Sequence, residues 1–383
     1  MGHYRAVSLK RQSIVSERVA LKNKCRKCRV IKQKFCLYSV VMKHCVSIIC
    51  SIVLLLPVVC GLTSCIFEDS PICPEKMEFT IVPEFPADGP GIPSGSLQNL
   101  PEGMAYLFFP SDGSPVWRFD LPGCGSGKVM MSPGNYSFLS FNDDTSSVLF
   151  RGENSYGTYE AYTVEADLLG NIPLSLRGNG AAPGGEERVV ACPEMMWGSS
   201  YYGFSLGYDG LSYIYSASTQ SGEVSVFSPD FILKSYEFPL TARYVYRIED
   251  VKNLSGVKSM SAALTGMAGS IMLASGQKGS YPSTLSLKAS SSDSSTIGSS
   301  FYTFGLPLAP TAPNVLNLFV VLTDGRRFCY KFDVTTQVRE ASDPMNVEIV
   351  VRDLTIDVPD SGGTSGFDVN VDGWITEIVN IKS

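Results

Sequence analysis

The sequence contains one short motif that would carry a nucleophile in a hydrolase, Gly203-Phe-Ser205-Leu-Gly207. A G-x-S-x-G motif works as a nucleophile elbow when it turns from a strand into a helix and when a histidine takes the serine proton. Here the motif lies within an aromatic, strand-like stretch, and both histidines of the chain, His3 and His44, lie near the amino terminus. We therefore predict that the motif is part of a strand and not a catalytic site.

Two glycine-containing segments are similar to ligand-binding loops but lack essential positions. Gly123–Lys128 (GCGSGK) is similar to a phosphate loop, but Val129 follows the lysine where Ser or Thr is required, and a strand-like run comes next. We expect a hairpin turn there. Asp368–Gly373 (DVNVDG) matches the first half of an EF-hand loop, but Val379 stands where a bidentate glutamate is needed. A strand with one solvated face is the prediction, with a weak calcium site as the alternative.

Two further clusters lack the partners that their chemistry would require. The Cys25–Cys36 run (C-x2-C-x7-C) starts like a zinc site but has no fourth ligand at a finger-like distance. The pair Asp143-Asp144 could serve a glycosidase, but its neighbours are turn formers, as expected of a loop. We therefore predict no catalytic residue, no metal site and no cofactor. An enzyme built on an acid pair is the alternative.

The charge of the chain is divided sharply between its amino-terminal end and the rest. Residues 1–44 hold 12 of the 31 Lys and Arg residues and one acid, Glu17. The remainder carries 19 basic and 36 acidic residues, a net charge of −17. Because phosphate binding needs a basic face, this acidic body excludes nucleic acid as a partner.

A segment typical of a secretory signal, apolar and uncharged, runs over Cys45–Leu62. Lys43 precedes it, and a precursor starting at Met42 would have a signal of about 23 residues, a usual length. We therefore predict that residues 1–64 are a leader and signal peptide, with residues 1–41 either an unusually long leader or an overextended start. A signal anchor is the alternative, but a proline interrupts the run, and no basic stop-transfer cluster follows it.

The four residues 62–65 (LTSC) resemble the lipobox of bacterial lipoproteins. In that class the peptide is cut between the positions of Ser64 and Cys65, and the cysteine carries a diacylglycerol and an amide-linked fatty acid such as palmitate. Several acyl chains, at about 0.8 kcal/mol per buried CH2, hold a protein far more firmly than one. The resemblance implies lipidation of Cys65 in the outer membrane. Glu68 and Asp69 resemble the surface-export signal of Bacteroidetes lipoproteins, which implies exposure at the cell surface.

Four cysteines follow the predicted lipidation site: Cys73, Cys124, Cys192 and Cys329. An even number in an oxidising compartment permits two disulfides in three pairings. Their wide spacing equally suits buried free thiols, so both interpretations stay open.

Short runs rich in aromatic and β-branched residues recur along the rest of the chain, separated by turn formers. The predicted strands are residues 104–110, 116–121, 128–131, 136–141, 148–151, 159–164, 201–206, 211–215, 238–248, 284–288, 300–304, 316–322, 328–334, 347–351 and 354–358, with a final pair over 367–381. Thr323-Asp324-Gly325 predicts a hairpin turn, and the candidate helix is Ser255–Met267. Many short strands with almost no helix predict an all-β protein built from β-sandwiches.

The length suits two domains of ordinary size. After a tether over residues 65–75, we place an N-terminal β-sandwich at residues 76–228 and a C-terminal β-sandwich at residues 229–383. The boundary falls near Pro229, and the Gly- and Pro-rich residues 170–187 are expected to loop out of the first domain.

The order of several motifs resembles a Bacteroidales lipoprotein family grouped with the minor and anchor subunits of the fimbrillin superfamily. The matching stretches are Pro101–Met104, then YLFFP, WRFDLPG, SPGNYSFLSFNDDT (Ser132–Thr145), LFRG and YEAYT, followed by Leu264–Ser270 and Gly366–Trp374. Together they extend over most of residues 65–383. The resemblance implies two tandem transthyretin-like β-sandwiches and a role in starting or capping a fimbria.

The resemblance also implies how the chain would join other fimbrial subunits. In that superfamily an extended segment of one subunit completes a sheet of the next, which is β-strand complementation. The candidate surfaces are a groove in a sheet edge and the terminal strands around Phe367–Ile381. No arginine-cleaved leader strand is evident after Cys65, which suits an anchor better than a shaft subunit.

A second functional hypothesis is a surface lipoprotein that binds a glycan or another host ligand. It predicts an exposed aromatic platform, and the three tryptophans that would test it are Trp117, Trp197 and Trp374. Most tyrosines and Trp374 are expected to lie in strands or cores instead.

Overall fold

The computed structural model describes residues 76–87, 91–167, 188–208, 210–215, 225–228, 230–357 and 374–379. Strands dominate these ranges, together with one short helix, α1 (Thr335–Arg339), and three 3-10 turns. In chain order the strands are β1 Met77–Glu84, β2 Gly103–Pro110, β3 Trp117–Pro122, β4 Gly127–Met131, β5 Gly134–Phe141, β6 Val148–Arg151, β7 Glu160–Thr163, β8 Val189–Ala191, β9 Trp197–Gly207, β10 Gly210–Tyr215, β11 Ser225–Ser228, β12 Ile232–Tyr236, β13 Phe238–Pro239, β14 Ala242–Glu249, β15 Val257–Ala268, β16 Ser270–Met272, β17 Pro282–Lys288, β18 Ser290–Ser291, β19 Ile297–Thr303, β20 Val315–Leu322, β21 Arg327–Asp333, β22 Asn346–Arg352 and β23 Trp374–Ile378.

The first sandwich packs a three-stranded sheet against a larger one. Sheet 1 has the order β12-β1-β4, and sheet 2 has the order β11-β10-β9-β5-β2-β3, with β13 also paired to β9. The core between them is aromatic: Phe108 packs against Phe79 of sheet 1 and Phe138 and Phe204 of sheet 2, with ring centroids 5.0–5.8 Å apart. Such pairs add to the free energy gained by burying the rings themselves.

Sheet 2 is covered on both faces. Along β2, Tyr106 and Phe108 point into the core shared with sheet 1, whereas Leu107 and Phe109 point into a second core on the opposite side. This explains why β2 has an unbroken apolar sequence, MAYLFF, instead of the alternation of a strand with one wet face.

The second sandwich also has two sheets. Sheet 3 has the order β18-β19-β14-β22, and sheet 4 has the order β23-β21-β20-β15-β17-β8. Tyr244 and Ile349 of sheet 3 and Leu264 and Leu318 of sheet 4 meet in one buried core. The predicted all-β class, built of sandwich-like pairs of sheets, is confirmed.

The sandwiches exchange strands with each other. β8 comes before β9, β10, β11 and β13 of sheet 2 in the chain, yet it pairs in parallel with β17 of sheet 4. In return β16 leaves the second sandwich and pairs with β7 in a three-stranded linking sheet, β16-β7-β6, beside the first. β12 and β13 still belong to the first sandwich. The second sandwich therefore begins at β14, about a dozen residues beyond the predicted boundary at residue 229.

The predicted helix at Ser255–Met267 is wrong, because this segment forms β15. It pairs with β17 on one side and β20 on the other, and every residue from Ala262 to Ala268 is buried. Its alanines and methionines are good helix formers, but burial in a central strand outweighs that weak preference. Gly266 has φ +74° at a β-bulge, where the Asn314 side-chain amide donates to its carbonyl oxygen at 3.2 Å.

Most other predicted strands lie within one or two residues of the observed ones. The turn at Thr323–Gly325 joins β20 and β21 as predicted, with Gly325 at φ +89°. In contrast, the described part of the strand predicted at residues 354–358, residues 354–357, contributes a single bridge, Thr355 to Lys252. Of the final pair predicted over residues 367–381, the structure describes 374–379, where β23 lies. In the described part of the chain no helix is long and apolar enough to cross a membrane.

Candidate assembly surface

The first strand of the chain completes the first sandwich. β1 lies between β4, to which it is antiparallel, and β12, to which it is parallel. Phe79 and Ile81 point inward and are 2% and 0% exposed, while Thr80 between them faces outward. Without β1, sheet 1 would have a groove between two strands that do not otherwise meet. The chain therefore fills its own groove.

Two ion pairs tie β1 to its neighbours on the outer face. Lys128 Nζ of β4 lies 2.7 Å from Glu78 Oε1, and Lys234 Nζ of β12 lies 2.9 Å from Glu84 Oε1. Exposed pairs of this kind contribute about 0–1 kcal/mol each. They favour one register for β1 more than they add stability.

An edge of the second sandwich is formed by the carboxy-terminal strand. β23 pairs in parallel with β21, and among the described residues no other strand pairs with it. The Val379 N–H donates to Lys331 O at 3.0 Å, so by alternation the backbone groups of Thr376 and Ile378 point away from β21. Ile378 is 79% exposed. Within the described part of the chain, the backbone groups on this outer side of β23 have no strand partner, so they are available to an added strand.

Opposite ends of β23 have different environments. The Trp374 ring is 1% exposed and packs edge-on against Phe319 at 5.7 Å, which fastens the start of the strand to the outer face of sheet 4. Near the other end, burial and then the neighbouring charge of Asp357 raise the pKa of Glu377. The strand is thus anchored through the buried Trp374, whereas the Ile378 side chain is exposed to solvent.

The tryptophan platform predicted for a glycan-binding protein is not present as a set. Trp197 is fully buried, and its indole N–H donates to Asn99 O at 3.3 Å. Trp374 is buried as described above. Trp117, at the start of β3, is half-buried and remains accessible.

The motifs considered as chemical sites have structural roles. Ser205 lies in the interior of β9, as predicted, and its hydroxyl donates to Asn135 Oδ1 at 2.6 Å. Gly123–Lys128 leads from β3 of sheet 2 to β4 of sheet 1, so it is a connection between sheets and not the expected hairpin turn. Asp143 pairs with Arg118, and Asp144 Oδ2 accepts from the Glu102 N–H at 2.7 Å.

The predicted EF-hand-like segment lies outside the described residues, as do Ser64, Cys65 and Cys73. The described cysteines, Cys124, Cys192 and Cys329, are free thiols in three separate places. Burial raises the pKa of both Cys192 and Cys329 to about 12, so neither is a ready nucleophile. Within the described ranges no three His, Cys, Asp or Glu side chains are grouped to hold a metal.

A buried carboxyl group in the first sandwich was not anticipated from the sequence. Glu237, between β12 and β13, is fully buried; Ser140 Oγ donates to it at 2.7 Å and Ser235 Oγ at 2.6 Å. Burial raises the pKa of Glu237 to about 7 despite these hydrogen bonds. The hydroxyl of Tyr106, whose pKa is raised by burial and by Glu237, has no hydrogen-bond partner in the described structure. The sequence does not reveal the burial of Glu237, because a single glutamate in a strand-like stretch carries no signal of it.

These features define an all-β protein of two sandwiches that exchange strands, with a self-completed first sheet and, among the described residues, an open edge at β23. Residues 94–288, about half of the chain, match the model of a family described as a domain of unknown function, DUF5119, and the chain belongs to that family.

One relative among curated proteins is a fimbrial protein. The chain is 32% identical over 120 residues to a candidate fimbrium anchoring subunit, Fim4B, of Bacteroides ovatus; the match covers 30% of this chain and 32% of that protein. The match thus spans about a third of the relative's length. These findings confirm the family resemblance drawn from the motifs.

One solved structure is similar in fold, and a second matches at a lower score. A candidate adhesin from Bacteroides ovatus matches with a TM-score of 0.50 and 20% identity over 74% of this chain and 94% of that chain. The fimbrial anchor protein Mfa2 from Porphyromonas gingivalis matches with a TM-score of 0.39 and 11% identity over 72% of this chain and 90% of that one.

Proposed function

We propose that this chain is a lipid-anchored protein of the outer membrane, exposed at the cell surface, that serves as an anchor or minor subunit of a fimbria. It would join the next subunit by β-strand addition. The partners are the membrane, through acyl chains on Cys65, and other fimbrial subunits. The role is non-enzymatic, which is supported by a sequence that has no histidine after His44.

One observation carries this proposal: β1 is paired on both sides within its own sheet. A shaft subunit must leave a groove open for its neighbour, whereas a subunit at the end of a fibre has no such need. The 32% identity to a candidate fimbrium anchoring subunit supports the same position.

With sheet 1 closed, the outer side of β23 is the candidate site for joining another subunit. An added strand would pair with the outward backbone groups of Thr376 and Ile378, which gives affinity through main-chain bonds. The exposed Ile378 side chain would be covered by such a strand.

Thr376→Pro is expected to abolish incorporation into fimbriae while leaving the protein folded. Proline removes an N–H that points away from β21, and edge strands tolerate proline at such positions. Thr376→Ala keeps the N–H and is the matched control. The measurement is electron microscopy of cell-surface filaments in a deletion strain complemented with each variant, beside a thermal melt of each purified protein. Wild-type filaments with Thr376→Pro would exclude β23 as the joining edge, and unchanged filaments in the deletion strain itself would refute the fimbrial role.

Mass spectrometry of the protein extracted from membranes is expected to find an acylated amino terminus at Cys65. Cys65→Ala should release the chain from the membrane fraction, because the acyl chains supply the anchoring free energy. Cys73→Ala is the control and should stay membrane-bound. An unmodified native chain that begins before Cys65 would contradict lipid anchoring.

A further inference from the structure

A cleft of ≈ 850 Å³ opens at one end of the first sandwich. Its walls are the turn between β2 and β3 and the turn between β4 and β5. The Ser111 N–H donates to Asn135 O at 2.9 Å, so the two turns are fastened to each other. The volume lies within the range of about 300–1,000 Å³ that is usual for small-molecule sites.

Aromatic and proline side chains form the apolar part of the cleft. Trp117 and Tyr136 line it, together with Pro110, Pro115 and Pro133. Lys76 Nζ lies 5.2 Å from the Trp117 ring centroid, and the Phe119 ring lies nearly parallel to it at 6.4 Å. Lys76 and Phe119 do not line the cleft. They therefore contact the indole from outside the cleft and restrict its orientation.

One polar side chain of the cleft retains unused hydrogen-bonding capacity. Asp112 is exposed, and its Oδ1 accepts from the Ser114 N–H at 2.9 Å; a carboxylate can accept further bonds. The Ser114 bonds also hold the pKa of Asp112 below its usual range, so the group is ionised. Asn135 lines the cleft as well, but its neighbour Tyr136 points into the core, so by alternation the Asn135 side chain lies on the opposite face of sheet 2, where its Oδ1 accepts from Ser205 Oγ at 2.6 Å.

We propose that this cleft binds a neutral saccharide, with the Trp117 ring against the C–H face of a sugar and with the Asp112 carboxylate accepting hydrogen bonds from its hydroxyl groups. Sugar hydroxyls donate hydrogen bonds, which matches an ionised acceptor on the turn that precedes Trp117. The apolar walls would exclude water from the C–H face and so strengthen those bonds.

The charge of the cleft favours a neutral saccharide over an acidic one. Asp112 is ionised and exposed at the rim, and the chain beyond residue 44 has a net charge of −17. A carboxylated or sulfated sugar would be repelled by Asp112 at short distance and by the net negative charge of the chain at longer distance. Lys76 is the cation beside Trp117, and it stands outside the lining.

The test is titration of the full mature chain, kept in a detergent without a sugar headgroup, with lactose, N-acetyllactosamine, mannobiose and 3′-sialyllactose. Saturation-transfer NMR detects binding, and calorimetry gives Kd. At least one neutral probe is expected to bind, and 3′-sialyllactose is expected to bind more weakly than lactose. Trp117→Ala and Asp112→Ala should each weaken the neutral probe by about tenfold or more, as for a central contact residue.

Tyr281→Ala is the matched control, since Tyr281 is another accessible aromatic residue, 58% exposed, that does not line the cleft. It should bind as wild type does. If Trp117→Ala does not fold by circular dichroism, Asp112→Ala decides alone. Three results would each overturn the proposal: no binding of any neutral probe, unchanged affinity in the variants, or 3′-sialyllactose binding as tightly as lactose. None of these results bears on fimbrial assembly, which is tested at β23.

Discussion

Ile81→Asp is expected to unfold the first sandwich at physiological temperature. Ile81 is 0% exposed at the centre of β1, and its replacement removes an aliphatic contact and forces a carboxylate into an apolar core. Loss of a buried isoleucine costs about 2–5 kcal/mol, and the charge adds several more. This cost is comparable to a total stability of about 5–15 kcal/mol, so the first sandwich is expected to unfold. Thermal unfolding followed by tryptophan fluorescence measures the effect.

Thr80→Asp provides the comparison for that variant. Thr80 is the neighbouring residue of the same strand, and its side chain points to the outer face. A similar charge there should change the free energy of unfolding by under about 1 kcal/mol. Equal destabilisation by the two substitutions would show that β1 does not sit in sheet 1 with the register described.

Glu237→Gln is expected to stabilise the protein by about 3 kcal/mol at pH 8 and to leave it nearly unchanged at pH 4. The pKa of Glu237 rises from an ordinary 4.5 to about 7 on folding, and each pKa unit corresponds to 1.36 kcal/mol. The native state therefore holds a proton that the unfolded chain has lost. Its contribution to stability is complete below about pH 4.5 and disappears as pH rises through about 7. Glutamine mimics the neutral acid at every pH.

Urea unfolding at half-unit steps from pH 4 to pH 8.5 measures this difference. Glu340→Gln, at an exposed glutamate after α1, is the control and should follow the wild-type curve. A difference between Glu237→Gln and wild type that is constant with pH would mean that Glu237 keeps an ordinary pKa. A fall in the stability of the variant at pH 8 would mean that the ionised form is the stabilising one.

The strands with aromatic and β-branched sequences could be predicted because their side chains alone mark them. β2, β5, β14 and β20 are such cases. Sheet 1 cannot be predicted as a sheet, because the sequence does not mark β1 and β12 as strands. β12 is short, β1 contains Pro83, and their parallel pairing joins residues about 150 positions apart. A register of that kind depends on tertiary packing, which leaves no local pattern.

Other errors and omissions have the same origin. β15 resembles a helix by composition, and only its position between β17 and β20 makes it a strand. Trp117 was named from the sequence together with Trp197 and Trp374, yet burial separates the accessible ring from the two core rings. Asp112 carries no such signal in the sequence, because the turns after β2 and β4 form the cleft beside it only in the folded chain.

Because the two sandwiches exchange strands, the chain cannot be cut into two fragments that each keep all their strand pairs. A fragment ending near residue 240 would carry β8 without its β17 partner, and a fragment starting there would carry β16 without β7. Each piece would display edges that the intact molecule buries, and such edges promote aggregation. Dissection of this protein by truncation is therefore a poor strategy, whereas co-expression of the two pieces gives each exchanged strand its partner.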